Sequence, residues 1–153
     1  MGITLSQKEK MLLEDQKSHE QICIEKYNKY AGQAQDSQLK QIFQTNGQQE
    51  RTHLDTLNQL LSGKIPDMNQ QQNQSAAQAP NLSQPGACGL SDQDMCSDVL
   101  MTEKYVSGTY DTAIFECRDT NVRDVLNHIQ KEEQKHGEAV FQYMQGKGMY
   151  QVQ

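Results

Sequence analysis

Residues 119–147 read DTNVRDVLNHIQKEEQKHGEAVFQYMQGK, and residues 36–64 read DSQLKQIFQTNGQQERTHLDTLNQLLSGK. Laid over one another at an offset of 83, the two stretches align without a gap. Asp36 falls on Asp119, Glu50 on Glu133, His53 on His136, and Gly63-Lys64 on Gly146-Lys147. Apolar character carries over too: Leu39 with Val122, Ile42 with Val125, Phe43 with Leu126, Leu57 with Val140. In each stretch the apolar residues recur at helical spacing, an aspartate stands at the start as N-cap and a glycine at the end as stop. The register extends upstream, where Asp15 falls on Asp98, Glu20 on Glu103 and Tyr27 on Tyr110.

Each copy therefore predicts a helical hairpin. The first spans about 6–63, with a capping box at Ser6 to Glu9, a helix to about Gln33, and a second helix from Ser37 to Ser62. The second spans about 91–146, with helices from Ser91 to about Cys117 and from Thr120 to Gln145. Two helices cannot bury their apolar faces alone, so two hairpins pairing into one four-helix bundle is the expected architecture. Between them, residues 64–90 hold all three prolines and a Gln/Asn/Ser-rich run without periodicity, which reads as a linker. It is long enough to cross over along helices of roughly 40 Å. The reading is one all-α domain over 1–153, with 147–153 as a short tail.

Composition narrows the class of function. The net charge is −6 at pH 7 and no basic face is evident, which argues against nucleic-acid binding. No apolar run is long enough to span a membrane, and no signal-peptide pattern opens the chain. The 24 glutamines suit exposed helix faces and linkers. The four cysteines, Cys23, Cys88, Cys96 and Cys117, form no CxxC pair, so thiolate zinc sites are not expected. Reduced, partly buried thiols are the plain reading. Cys88, in the Pro/Gly segment, is the exposed candidate for cross-linking.

The informative residues are charges inside the apolar stripes. Glu20 and Glu103 interrupt the stripes of the first and third helices; Glu50 with His53, and Glu133 with His136, interrupt those of the second and fourth. Burying four unpaired carboxylates costs several kcal/mol each, as an order of magnitude. Two divalent cations would balance four carboxylates and leave both imidazoles neutral. Glu and His at i and i+3 share a helix face and can grip one ion together. One Glu from each of two helices plus Glu-x-x-His from each of the other two is the ligand set of the di-iron and di-manganese bundles. Oxygen-rich ligands with two imidazoles favour iron or manganese over thiolate-seeking metals. Tyr27 and Tyr110 fit core packing, with hydrogen bonding to the ligands as the alternative. His19 and His128 read as surface or boundary residues, and Glu25, Glu116, Glu132 and Glu138 as solvated.

These motifs resemble the ferritin-like di-iron superfamily, especially its erythrin-type bundles. By that resemblance Glu20, Glu50, His53, Glu103, Glu133 and His136 are ligands to two iron or manganese ions, with Glu50 and Glu133 bridging and Glu20 and Glu103 terminal. The sequence departs from relatives in lacking a rubredoxin-like Cys₄ module. Only seven residues follow Gly146, so the fifth helix of cage ferritins is not expected. A closer resemblance is to the spore coat F family of endospore-forming bacteria. It is carried by residues 98–111, DVLMTEKYVSGTYD, by residues 123–137, RDVLNHIQKEEQKHG, and by Gly148-Met149-Tyr150. That resemblance implies a structural protein made in the mother-cell cytoplasm and placed in the spore coat. Its expected partners are other coat proteins or copies of itself, a homodimer included. The alternative is an oxidoreductase that reduces peroxide or oxygen or oxidises Fe²⁺. A third reading leaves the core as an apo relic with some glutamates protonated by burial.

Overall fold

The computed structural model describes residues 2–69 and 89–153. They form four α-helices: α1 (Gln7–Gln33), α2 (Ser37–Leu61), α3 (Asp92–Glu116) and α4 (Thr120–Gly146). No strand occurs among the described residues beyond an isolated bridge between Gly2 and Lys64. Capping accounts for where the helices start. Ser6 and Glu9 exchange hydrogen bonds at the head of α1, and Ser91 and Asp94 do so at the head of α3. Asp36 accepts from Gln38 N at 2.9 Å and Asp119 from Asn121 N at 2.8 Å. Each such cap contributes about 0.5–2 kcal/mol.

Helix α2 ends as its sequence predicts. Gly63 takes φ +84°, its N–H reaches Leu60 O, and Lys64 N reaches Gln59 O. The fourth helix differs. Gly146 is its last helical residue, and the positive φ of +72° belongs to Gly148, with Met149 N bonded to Met144 O at 2.8 Å. The stop is two residues later than the repeat implies. Met149 explains this: it lies partly buried against Tyr143 and Met144's core cluster, where the closing turn gains an apolar contact.

Helix α1 packs chiefly against α2 and α3 against α4, with α1 also meeting α3 and α2 meeting α4. At one end of the bundle Ile3 N bonds Gly63 O, and Glu9 holds Arg118 of the α3–α4 turn. At the other end the Asp92 carboxylate accepts from Gln35 N and Asp36 N, and Tyr143 OH donates to Asp36. The end of α2 and the start of α3 thus lie at opposite ends of the bundle, separated by roughly 37 Å of helix. Of the stretch 64–90, the described part begins on the bundle itself: Ile65 and Met68 pack against the core. Residues 70–88, Cys88 among them, lie outside the described residues.

The core is divided. One apolar cluster, with Leu13, Leu57, Leu60, Val122 and Leu126, fills the end near the α3–α4 turn. A second, with Phe43, Leu39, Met95, Val99 and Val140, fills the end near the α1–α2 turn. Between them lie the buried ionisable side chains Glu20, Glu50, His53, Glu103, Glu133 and His136, none more than 5% exposed. Apolar packing at both ends excludes water from a charged middle layer, and that sets its chemistry.

Candidate metal centre

All six residues predicted to point inward meet in that layer. Their donor atoms form two groups, each with atoms within 4.8 Å of one another: Glu20, Glu50, His53 and Glu133, and Glu50, Glu103, Glu133 and His136. Glu50 and Glu133 belong to both. His53 Nδ1 lies 3.0 Å from Glu50 Oε2 and 3.2 Å from Glu133 Oε1. His136 Nδ1 lies 3.1 Å from Glu50 Oε1 and 3.4 Å from Glu133 Oε2. The two rings stack with centroids 5.7 Å apart. Both imidazoles thus turn the same nitrogen to the same pair of carboxyls.

The tyrosines bond across the bundle rather than along their own helices. Tyr27 OH on α1 donates to Glu103 Oε1 on α3 at 2.5 Å, and Tyr110 OH on α3 donates to Glu20 Oε1 on α1 at 2.5 Å. Asn46 Nδ2 donates in turn to Tyr27 OH at 3.2 Å. Helical spacing carried a signal for Asn46, which stands one turn before Glu50.

Glu132 corrects its sequence reading. It is half-buried, not solvated: its Oε2 lies 2.7 Å from His53 Nε2, its Oε1 lies 2.9 Å from His128 Nε2, and Gln49 Nε2 donates to it. On its own helix Glu132 sits beside the apolar stripe, so only the approach of α2 reveals its partner. Gln49 and Glu132 are equivalent positions of the repeat, and their contact was not legible in either half alone.

Burial favours the neutral form of every carboxyl here, and the neighbours decide which remain charged. Glu20 is nevertheless lowered to about 2, because the neighbouring Glu50 carboxyl, the His53 imidazole and the Tyr110 hydroxyl together favour its carboxylate. Glu103 is lowered against burial by Glu133, His136 and Tyr27. Glu50 is pushed up to about 8 by burial and by the charge on Glu20. Burial and the charges of Glu50 and Glu20 hold Glu133 well above its ordinary value. Both imidazoles are raised: burial opposes the charge, but Glu132 and Glu133 outweigh it at His53, and Glu103 and Glu133 at His136. Four carboxylates, two neutral imidazoles and two divalent cations would together be neutral.

The donor set fits hard divalent cations. Glu20 Oε2, Glu103 Oε2 and both oxygens of Glu133 are buried without a hydrogen-bond partner. Unsatisfied buried acceptors cost about 1–3 kcal/mol each, and a cation among them removes that cost. Cys23 also lies buried, its thiol kept protonated by burial and by Glu50 and Glu20, so the cluster offers no thiolate. Between α3 and α4 a groove of about 960 Å³ opens, and Glu103 and Glu133 lie in its lining.

Fold and centre together define a four-helix bundle with a buried carboxylate–imidazole cluster able to hold a metal ion. The Coat F domain family matches residues 91–153, which comprise α3, α4 and the tail and include Glu103, Glu133 and His136. No curated protein and no solved structure matches the chain. No helix among the described residues is long and apolar enough to cross a membrane.

Proposed function

We propose that this protein is a structural component of the spore coat, built as a ferritin-like bundle of two tandem hairpins whose core holds two iron or manganese ions. The observation that carries the metal reading is the pair of four-residue groups sharing Glu50 and Glu133. In this reading Glu20, Glu50, His53 and Glu133 would hold one ion, and Glu50, Glu103, Glu133 and His136 the other. Oxygen donors with one imidazole per ion suit iron or manganese. Bound there, the ions would supply Lewis acidity and one-electron redox chemistry. The chain's own part is to orient donors: Tyr27 and Tyr110 fix Glu103 and Glu20, and Glu132 fixes the His53 ring. The coat assignment is supported by the Coat F domain match over 91–153. Its partners in this reading are other coat proteins or further copies of the chain, with Cys88 as a cross-linking residue.

A second reading, an oxidoreductase acting on peroxide, oxygen or Fe²⁺, is favoured by the α3–α4 groove, whose lining includes Glu103 and Glu133. The deciding experiment is elemental analysis of protein purified without chelator, beside the Glu50→Ala/Glu133→Ala double variant. About two iron or manganese ions per chain, lost in the variant, are expected. Peroxide consumption and Fe²⁺ oxidation by the loaded protein then separate coat protein from enzyme. A folded chain with no metal, and no gain in melting temperature on adding Mn²⁺ or Fe²⁺, overturns the metal reading and leaves the structural one.

A further inference from the structure

The two ligand groups match in composition and differ in surroundings. His53 meets Glu132 through Nε2 at 2.7 Å, and Glu132 is itself held by Gln49 and His128. A carboxylate on the outer nitrogen fixes the tautomer that presents Nδ1 to a metal and holds the ring in place. Among the described residues His136 has no such support. The repeat puts Gln49 where Glu132 would serve it, and the Gln49 amide is turned to Glu132 instead. Among the described residues no hydrogen bond reaches His136 Nε2.

Access differs in the same sense. On the α1–α2 side, Gly47 lets the helices close until a Cβ there would stand 3.0 Å from Tyr27 Cβ. Ile24 and Leu54 occupy the places that Ser107 and Gly137 occupy in the second hairpin. On the α3–α4 side those small residues leave the groove, whose lining reaches Glu133, shared by both groups, and Glu103, which belongs to one only. Glu103 and His136 are 3% and 5% exposed against 0% and 1% for Glu20 and His53.

Resting on the di-metal reading above, the geometry points to two inequivalent divalent-cation sites. The site of Glu20 and His53 is anchored by Glu132 and closed; it fills first and releases its ion slowly. The site of Glu103 and His136 opens to the α3–α4 groove; it fills second and exchanges quickly.

The test is titration of the full chain with Mn²⁺, the free ion read by its electron paramagnetic resonance signal, with release followed after adding a chelator. Two classes of site separated by about tenfold or more in Kd are expected, and Glu132→Ala weakens the tighter class by about 10–100-fold while leaving the other unmoved. Gly137→Leu places a side chain in the groove that Gly137 lines; its Cβ meets Leu100 Cδ1 at an ordinary 3.8 Å. It should slow release from the weaker class by about tenfold or more without changing the amount bound. Two equal sites, Glu132→Ala acting alike on both classes, or release unchanged in Gly137→Leu would overturn the inference and leave the di-metal reading standing. No binding of either Mn²⁺ or Fe²⁺ by the wild type overturns both.

Discussion

The Tyr27 hydroxyl on α1 donates a 2.5 Å hydrogen bond to Glu103 Oε1 on α3, so a residue of the first helix orients a candidate ligand on the third. Tyr110 and Glu20 make the reciprocal bond. The centre therefore depends on α1 and α3 packing side by side and not on either helix alone. Tyr27→Phe removes the donor from a buried carboxylate whose other oxygen already lacks a partner, and takes an acceptor from Asn46. The metal-free protein should lose about 1–3 kcal/mol in chemical denaturation. The loss should shrink in saturating Mn²⁺, where the cation partly satisfies Glu103. An unchanged denaturation midpoint without metal would show that the hydroxyl contributes nothing there.

Much of this centre was legible in the sequence because its residues break a pattern. Glu20, Glu50, His53, Glu103, Glu133 and His136 are charges at helical positions that should be apolar, and all six are buried. The caps at Ser6, Asp36, Ser91 and Asp119 were legible for a similar reason, since a short polar side chain just before an apolar run has few other uses. What was not legible depends on which helix lies opposite. Glu132 reads as solvated on α4 and becomes the partner of His53 only when α2 lies beside it. Glu9 reads as half of a capping box and is also the anchor of Arg118, 109 residues away. Gly146 reads as the stop by analogy with Gly63, but packing of Met149 moves the turn to Gly148.

Glu9 gives a pH dependence with a definite sign. Burial works against its charge, but bonds from Arg118 and Ser6 win and lower the carboxyl from 4.5 to about 2. A depressed carboxyl stabilises the fold above its unfolded value and loses that contribution as pH falls through the folded value. Glu9→Gln should cost about 1–2 kcal/mol near neutrality through the weakened bonds to Arg118. The gap between wild type and variant should close between pH 4.5 and about 2, whatever the central cluster does, because both proteins share it. Melting temperatures measured in parallel across that range check this. A gap that stays constant would mean the Arg118 contact carries no net stability.

Cross-linking in a coat should run through one cysteine. Cys23, Cys96 and Cys117 are free and buried. Burial pushes the Cys96 thiol up to about 12, and burial with Glu9 pushes Cys117 up to about 11, so neither presents a thiolate. Disulfides formed in place are then left to Cys88. Coat preparations extracted in denaturant without reductant should retain a fraction of the protein as multimers, and Cys88→Ser should release that fraction as monomer. Complete release of the unmodified protein as monomer without reductant would remove disulfide cross-linking from its role.

Two glycines inside helices should respond oppositely to the same substitution. Alanine in a helix interior is ordinarily favoured over glycine by about 0.5–1 kcal/mol. At Gly108 a Cβ meets nothing within 4 Å, so Gly108→Ala should show that gain as a higher melting temperature. At Gly47 the new Cβ stands 3.0 Å from Tyr27 Cβ, and a stiff atom near the backbone cannot swing aside as a side-chain tip can. Either α1 and α2 separate or Tyr27 shifts, and Tyr27 is tied to Glu103 and Asn46. Gly47→Ala should therefore destabilise despite its better helix propensity, and should weaken Mn²⁺ binding by displacing the hydroxyl that orients Glu103. Stability and Mn²⁺ affinity measured on both variants check the pair. A Gly47→Ala protein as stable as Gly108→Ala would mean the α1–α2 contact is looser than its geometry implies.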